Sequence, residues 1–227
     1  DHCLSRGLGD VYKRQAINGH DPLYAPQSKE DSDIFNRFVL AGYDLVQTWE
    51  GFVYHMTSRG SRFKDGAMRN PAGQVFMKGR ESTEWLEQNL RSTRNFIRKW
   101  GHMVKHDNMM FPIIPPKYDI GFVVKNCDSK MLRELEPWCS TIYTDCEYDD
   151  YIKEEQRNTA FNLSDRIKPY DNEKNNDIIV KFDAKMLNAN NFQVIVNLSE
   201  MFKDSAEVGE MEYDVFHFDI NSLETYE

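Results

Sequence analysis

No stretch of this 227-residue chain approaches the roughly twenty consecutive apolar residues that a bilayer-spanning helix needs, and nothing in it reads as a signal peptide. Cysteine is scarce. The four present, Cys3, Cys127, Cys139 and Cys146, form no C-x-x-C pair, so neither a disulfide framework nor a zinc site is read from them. These shortages lead to the expectation of a soluble protein in a reducing cytoplasm. A basic excess is lacking too. The formal net charge is −9, and residues 118–227 carry 24 acidic against 11 basic side chains, a half that would repel nucleic acid. That half also has no phosphate-binding glycine loop, metal cluster or nucleophile constellation. It reads as an accessory or interaction module.

The informative stretch is Gly19 to Arg62, in a mildly basic section where residues 16–117 carry 14 basic against 11 acidic side chains. It opens with Asn18-Gly19-His20-Asp21-Pro22, continues through Ser28-Lys29-Glu30-Asp31-Ser32-Asp33-Ile34-Phe35-Asn36-Arg37, and ends in Tyr54-His55-Met56-Thr57-Ser58-Arg59-Gly60-Ser61-Arg62. Ser28 with Asp31 three residues later predicts a capping-box-like helix start, with Glu30 and Asp31 in the first turn, where free N–H groups favour negative charge. Ile34, Phe35, Phe38 and Val39 recur at helical spacing, and Gly42 suits a left-handed stop. Leu45 to Tyr54 reads as a strand that delivers His55 to its end. Arg59, Arg62, Lys64, Arg69, Lys78 and Arg80 follow, where an anionic ligand would need them.

Together the Gly-X-Asp loop, the Glu-Asp-X-Asp helix start with an arginine four positions on, the terminating glycine and the later histidine resemble the acceptor-side half of a family 2-type glycosyltransferase with the A-type fold. The resemblance covers about a quarter of the chain. It implies that Asp31, the second member of the Glu30-Asp31 pair, is the general base in an inverting transfer from a nucleotide-sugar donor to an acceptor hydroxyl. It also implies that Asp21 lies beside the acceptor, that His55 helps hold a divalent cation (Mn or Mg), and that Arg59 and Arg62 contact the diphosphate. Such residues suit the chemistry: a positioned carboxylate can take the hydroxyl proton, and guanidinium forks match phosphate oxygens. The family's donor-side Asp-X-Asp belongs upstream of Gly19, where almost nothing remains; Asp31-Ser32-Asp33 is not read as that site, and His20 stands where the family usually has an aromatic. Without the resemblance, the acidic pair reads as a helix N-terminus, His55 as a satisfied strand-end histidine, and the arginines as solvated charge.

Cys3 to Gln15 resembles translated adapter sequence found at the ends of metagenomic reading frames. Residues 1–15 are therefore expected to be adapter-derived or disordered, with the natural start and the donor half missing. Residues 16–111 are expected to form the acceptor-side part, including a polar, basic flap from Gly60 to Gly79 and a helix from about Ser82 to Val104 with Trp85, Leu86, Leu90, Phe96, Ile97, Trp100 and Val104 mostly on one face. His102 and His106 would be i, i+4 on its end, and Met109, Met110 and Phe111 would fill a domain interface. Prolines 112, 115 and 116 predict a linker over 112–118. Residues 119–227 read as a small acidic α/β domain: strands at Ile120 to Lys125, Thr141 to Asp145, Ile178 to Phe182 and within Gly209 to Ile220, and helices at Ser129 to Glu136, near Tyr148 to Gln156, and at Asn190 to Phe202. The expected fold class is thus α/β, a partial A-type glycosyltransferase half-domain followed by a small α/β, sandwich-like domain. Two functions of different class follow: a metal-assisted glycosyltransferase whose present chain would be inactive alone, or a non-catalytic interaction or assembly protein in which the C-terminal domain binds a protein partner.

Overall fold

A computed structural model of the chain describes residues 11–26, 28–46, 48, 67–69, 75–77, 83–205 and 207–226. These divide into two units, Asp1–Thr93 with His106–Pro112, and Arg94–Lys105 with Ile113–Glu227. No helix among the described residues is long and apolar enough to cross a membrane.

In the first unit, helix α1 (Val11–Ala16) and a 3-10 turn (Pro22–Tyr24) precede helix α2 (Glu30–Leu40). Most of α1 lies in the stretch set aside as residues 1–15, and its Lys13 ammonium sits over the Tyr43 ring at 5.5 Å. The α2 stop follows the expectation. Gly42, at φ +78°, donates to Val39 O at 2.9 Å, and Tyr43 N reaches Phe38 O at 3.0 Å, the paired bonds of a Schellman motif. The Phe38 and Tyr43 rings meet edge-on across that turn. Leu45, Val46 and Thr48 have no regular structure, and the rest of the expected strand to Tyr54 lies outside the described residues. Within Gly60 to Gly79, the described residues form a short antiparallel hairpin, β1 (Ala67–Arg69) with β2 (Val75–Met77).

Helix α3 (Thr83–Trp100) begins in the first unit and ends in the second. Its apolar stripe is only half used: Phe96, Ile97 and Trp100 are buried, whereas Leu86 and Leu90 are exposed. Gly101, at φ +77°, ends it, so His102 and His106 do not stand one turn apart on a helix face. His102 is buried, and burial keeps its pKa below the usual range. Met109 and Met110 are exposed.

The second unit is mixed α/β. Strand β3 (Lys117–Tyr118) pairs with β10 (Thr225–Tyr226), and six others form one sheet in the order β6-β5-β4-β7-β9-β8. These are β4 (Ile120–Lys125), β5 (Thr141–Thr144), β6 (Ile167–Pro169), β7 (Ile178–Asp183), β8 (Gly209–Tyr213) and β9 (Phe216–Ile220). Every strand runs parallel to β4 except β9. The apolar run Ile120-Gly121-Phe122-Val123-Val124 suits a central strand buried on both faces, and the alternation of Phe216, Phe218 and Ile220 with His217 and Asp219 suits one buried on a single face. Edge strand β8 carries Glu210 and Glu212 outward, charges that discourage further pairing.

The large core lies on one face. Phe122, Val124, Ile142, Val180, Phe182 and Phe218 pack there against α4 (Ser129–Leu135), α5 (Asp149–Glu155), α6 (Leu163–Arg166), α7 (Phe192–Val196) and α8 (Leu198–Ser205) through Leu132, Leu135, Tyr151, Leu163, Ile195 and Phe202. The expected helix from Asn190 to Phe202 is two helices, broken at Asn197. On the other face, Val123, Tyr143 and Ile179 form a small cluster under the connection from β6 to β7. The domain is therefore one sheet with helices packed on a face, which agrees with the expected small α/β unit of a sheet covered by helices. Asn176 in that connection accepts from Tyr143 Oη at 3.1 Å and donates to Asp119 at 2.7 Å. It crosses so close to β4 that a Cβ on Gly121 would lie 2.8 Å from its Cγ.

The C-terminal half of α3 joins the second unit through charge. The Arg98 guanidinium, fully buried, reaches Glu136 at 2.7 Å and Glu155 at 3.0 Å and donates to Asn95 at 2.9 Å. Arg166 takes the other Glu136 oxygen at 2.6 Å, and Arg94 holds Glu155 at 2.8 Å. Burial opposes ionisation of both glutamates, but these guanidinium groups outweigh it and hold both carboxyls below the ordinary range. This network draws Arg94–Lys105 into the second unit, upstream of the proline segment where the sequence suggested a linker; in that segment Pro115 is buried and Lys117 starts β3.

Two outcomes are expected. Arg98→Met leaves two buried carboxylates short of a partner and should lower unfolding free energy by about 3–5 kcal/mol in urea titration. Because the folded pKa values of Glu136 and Glu155 are depressed, their stabilisation is present above the unfolded carboxylate range and is lost as pH falls through the folded values; the variant should show a flattened acid limb. Gly121→Ala should cost about 1–3 kcal/mol, since Asn176 is held by its own hydrogen bonds and cannot move aside freely.

Candidate functional site

The residues singled out in the sequence around Gly19 and α2 are brought together by one side chain. Arg37 donates through Nε to Asp33 at 2.8 Å, through Nη2 to the Gly19 carbonyl at 2.6 Å, and through Nη1 to the Ile17 carbonyl. The Gly-X-Asp loop is thereby tied to the acidic start of α2. This changes what the helix buries: Asp33 is fully buried beside its arginine, Asn36 is buried with Ile34, and Val39, expected in the apolar face, is 37% exposed. Such burial of a carboxyl is tolerated because a guanidinium lies against it.

The start of α2 differs from the capping box. Ser28 and Lys29 adopt φ +82° and +73°, Lys29 is the N-cap, and its side chain makes no capping hydrogen bond. Two successive non-glycine residues in the left-handed region hold a conformation that costs of order 1–3 kcal/mol each, and such positions cluster at binding and catalytic sites. Glu30 and Asp31 follow directly, in the first turn and partly exposed. Asp21 caps the 3-10 turn, accepting from Leu23 N at 2.9 Å. Beyond that turn Arg91 of α3 donates to the Ala25 carbonyl at 2.9 Å. His55, Arg59 and Arg62 lie outside the described residues. Among the described residues no group of three His, Cys, Asp or Glu side chains is placed to hold a metal ion.

The structure also assembles a group that no sequence motif announced, at the C-terminal ends of the parallel strands, where open α/β sheets bind ligands. Asp145, just after β5, accepts from Asn126 N at 2.8 Å and Cys127 N at 3.1 Å, just after β4. Asn126, at φ +54°, donates its amide to Asp183 at the end of β7, at 2.7 Å. Cys127 and Cys146 stand in these two turns, with the Cys127 thiol donating to the Asp128 carbonyl at 3.5 Å; the neighbouring thiol, more than any other influence, lowers Cys146 to about 7 and raises Cys127. The signal in the sequence was the repeat of Asn126-Cys127 and Asp145-Cys146 after two β-branched runs, a pairing that only in-register parallel strands bring into adjacent turns.

Searches against protein-family models, curated proteins and solved structures find no match to this chain.

Arg37→Lys keeps the charge but loses the fork that spans Asp33 and two carbonyls. It should lower the unfolding free energy by about 1–3 kcal/mol in urea titration, with the loss greater than for the exposed control Lys153→Ala.

Proposed function

We propose that the α2 region is the acceptor side of an inverting glycosyltransferase that uses a nucleotide-sugar donor, with Asp31 as general base. The observation that carries the reading is Arg37, which gathers the Gly19 loop and the Glu30–Asp33 helix start into one constellation. The left-handed backbone at Ser28 and Lys29 supports it, because strain is held immediately before the acidic pair.

In this reading an acceptor hydroxyl sits against the Asp31 carboxylate. The hydroxyl proton passes to Asp31 as its oxygen forms a bond to the anomeric carbon, and the bond from that carbon to the nucleoside diphosphate breaks with inversion. Glu30 shares the same first turn, and Asp21 stands in the loop that Arg37 anchors. Arg59 and Arg62 supply positive charge for the leaving diphosphate. A divalent cation would neutralise the same group when bound, with His55 as a candidate ligand.

Asp31→Asn in the protein translated from the whole reading frame that contains these residues should lower transfer at least about 100-fold while leaving donor affinity unchanged. Isotope-labelled sugar transfer and calorimetric donor titration measure the two quantities. Unchanged turnover in Asp31→Asn sinks the base assignment. Absence of nucleotide-sugar binding in the parent favours the interaction or assembly reading, with the acidic C-terminal unit making the contacts.

A further inference from the structure

β4 and β5 are parallel neighbours with Val124 opposite Thr144, so the turns that leave them emerge side by side. The two backbone bonds to the Asp145 carboxylate lock those turns in register, at 2.8 Å from Asn126 N and 3.1 Å from Cys127 N. On the β5 side, Cys146 N donates to Thr144 Oγ1 at 3.3 Å. Each turn thus presents one cysteine to the other. Both cysteines are half-buried and outside any disulfide, with Cys127 Sγ donating to the Asp128 carbonyl at 3.5 Å; Cys139 is buried, its Sγ on the Glu136 carbonyl at 3.6 Å.

We infer that Cys127 and Cys146 form a dithiol site that exchanges with low-molecular-weight disulfides of the oxidised-glutathione class and closes to a Cys127–Cys146 disulfide. Cys146 is the attacking thiol. The neighbouring Cys127 thiol favours its thiolate and holds it near 7, against burial and the carboxylates of Asp145 and Asp128; Cys139 is pushed up by burial. A thiol that titrates near ambient pH combines thiolate population with nucleophilicity.

In the first step the Cys146 thiolate forms a bond to one sulfur of oxidised glutathione, the glutathione S–S bond breaks, and one glutathione leaves as thiolate. In the second, the Cys127 proton passes to solvent, its sulfur attacks the Cys146 sulfur of the mixed disulfide, and the second glutathione leaves. Two protein thiols are oxidised, and one glutathione disulfide is reduced to two glutathione thiols. The product bridges the β4–α4 and β5–α5 turns at the ligand-binding edge of the sheet. This inference is independent of the transfer reading.

The test uses the whole chain in a Cys3→Ser background, exposed to oxidised glutathione, acid-quenched, alkylated and weighed by mass spectrometry. The expected product has lost two free thiols and retains no glutathione, and peptide mapping joins Cys127 to Cys146. Cys127→Ser should stop at a glutathione adduct on Cys146, and Cys146→Ser should react at least about tenfold more slowly. Circular dichroism checks the folding of each variant; Cys127→Ala and Cys146→Ala replace any serine variant that does not fold. All three free thiols remaining in the folded parent, a lasting glutathione adduct on it, or equal reaction rates for the two single variants would overturn the assignment.

Discussion

A buried arginine with two buried glutamates is the constraint around which the second unit is organised. Arg98 cannot leave water without compensation, and Glu136 and Glu155 cannot stay ionised beside it without further partners. Arg166 and Arg94 complete the set, and Tyr151 donates its hydroxyl to Glu136 at 3.1 Å. These side chains come from α3, α5, α6 and the turn after α4. Each helix is therefore positioned by charge as well as by the apolar core beneath it. An apolar replacement could match the stability, but it would not fix which side chain of α3 faces which helix.

The same trade recurs on a smaller scale in the first unit. Arg37 ties a glycine-containing loop to the helix that carries Asp31, and the buried carboxylate of Asp33 is what orients its guanidinium. In both places a polar group is buried where an apolar one was expected from helical periodicity. The result is specific geometry around an acidic helix start, which is the arrangement a positioned base requires.

At the third place, the C-terminal edge of the sheet, backbone and side chain cooperate differently. Parallel pairing sets β4 and β5 level, and Asp145 converts that alignment into a fixed relation between two turns. Asn126 extends the link to β7 through Asp183. The two cysteines fall in adjacent turns as a consequence of register. Neither turn has a glycine-rich loop to cradle a phosphate, so the chemistry available there is that of sulfur and carboxylate.

Local pattern was enough to identify much of the second unit. The run from Ile120 to Val124 is strand because it is apolar and carries three β-branched residues, Ile178 to Phe182 because Ile178, Ile179 and Val180 lead it, and Asp128 makes its own helix start by accepting from Met131 N. Gly42 ends α2 because few other residues accept that backbone conformation. The short strand β6 escaped notice because three residues carry no periodicity. The start of α2 at Lys29, the exposure of Leu86, Leu90 and Val39, and the burial of Asp33 and Arg98 were decided only by tertiary structure. Side-chain pairing across distant segments determines whether a charge is buried, and local spacing holds no information about the partner. For the same reason the sequence alone determined that Cys127 and Cys146 each follow a strand, and strand order decided that they stand in adjacent turns.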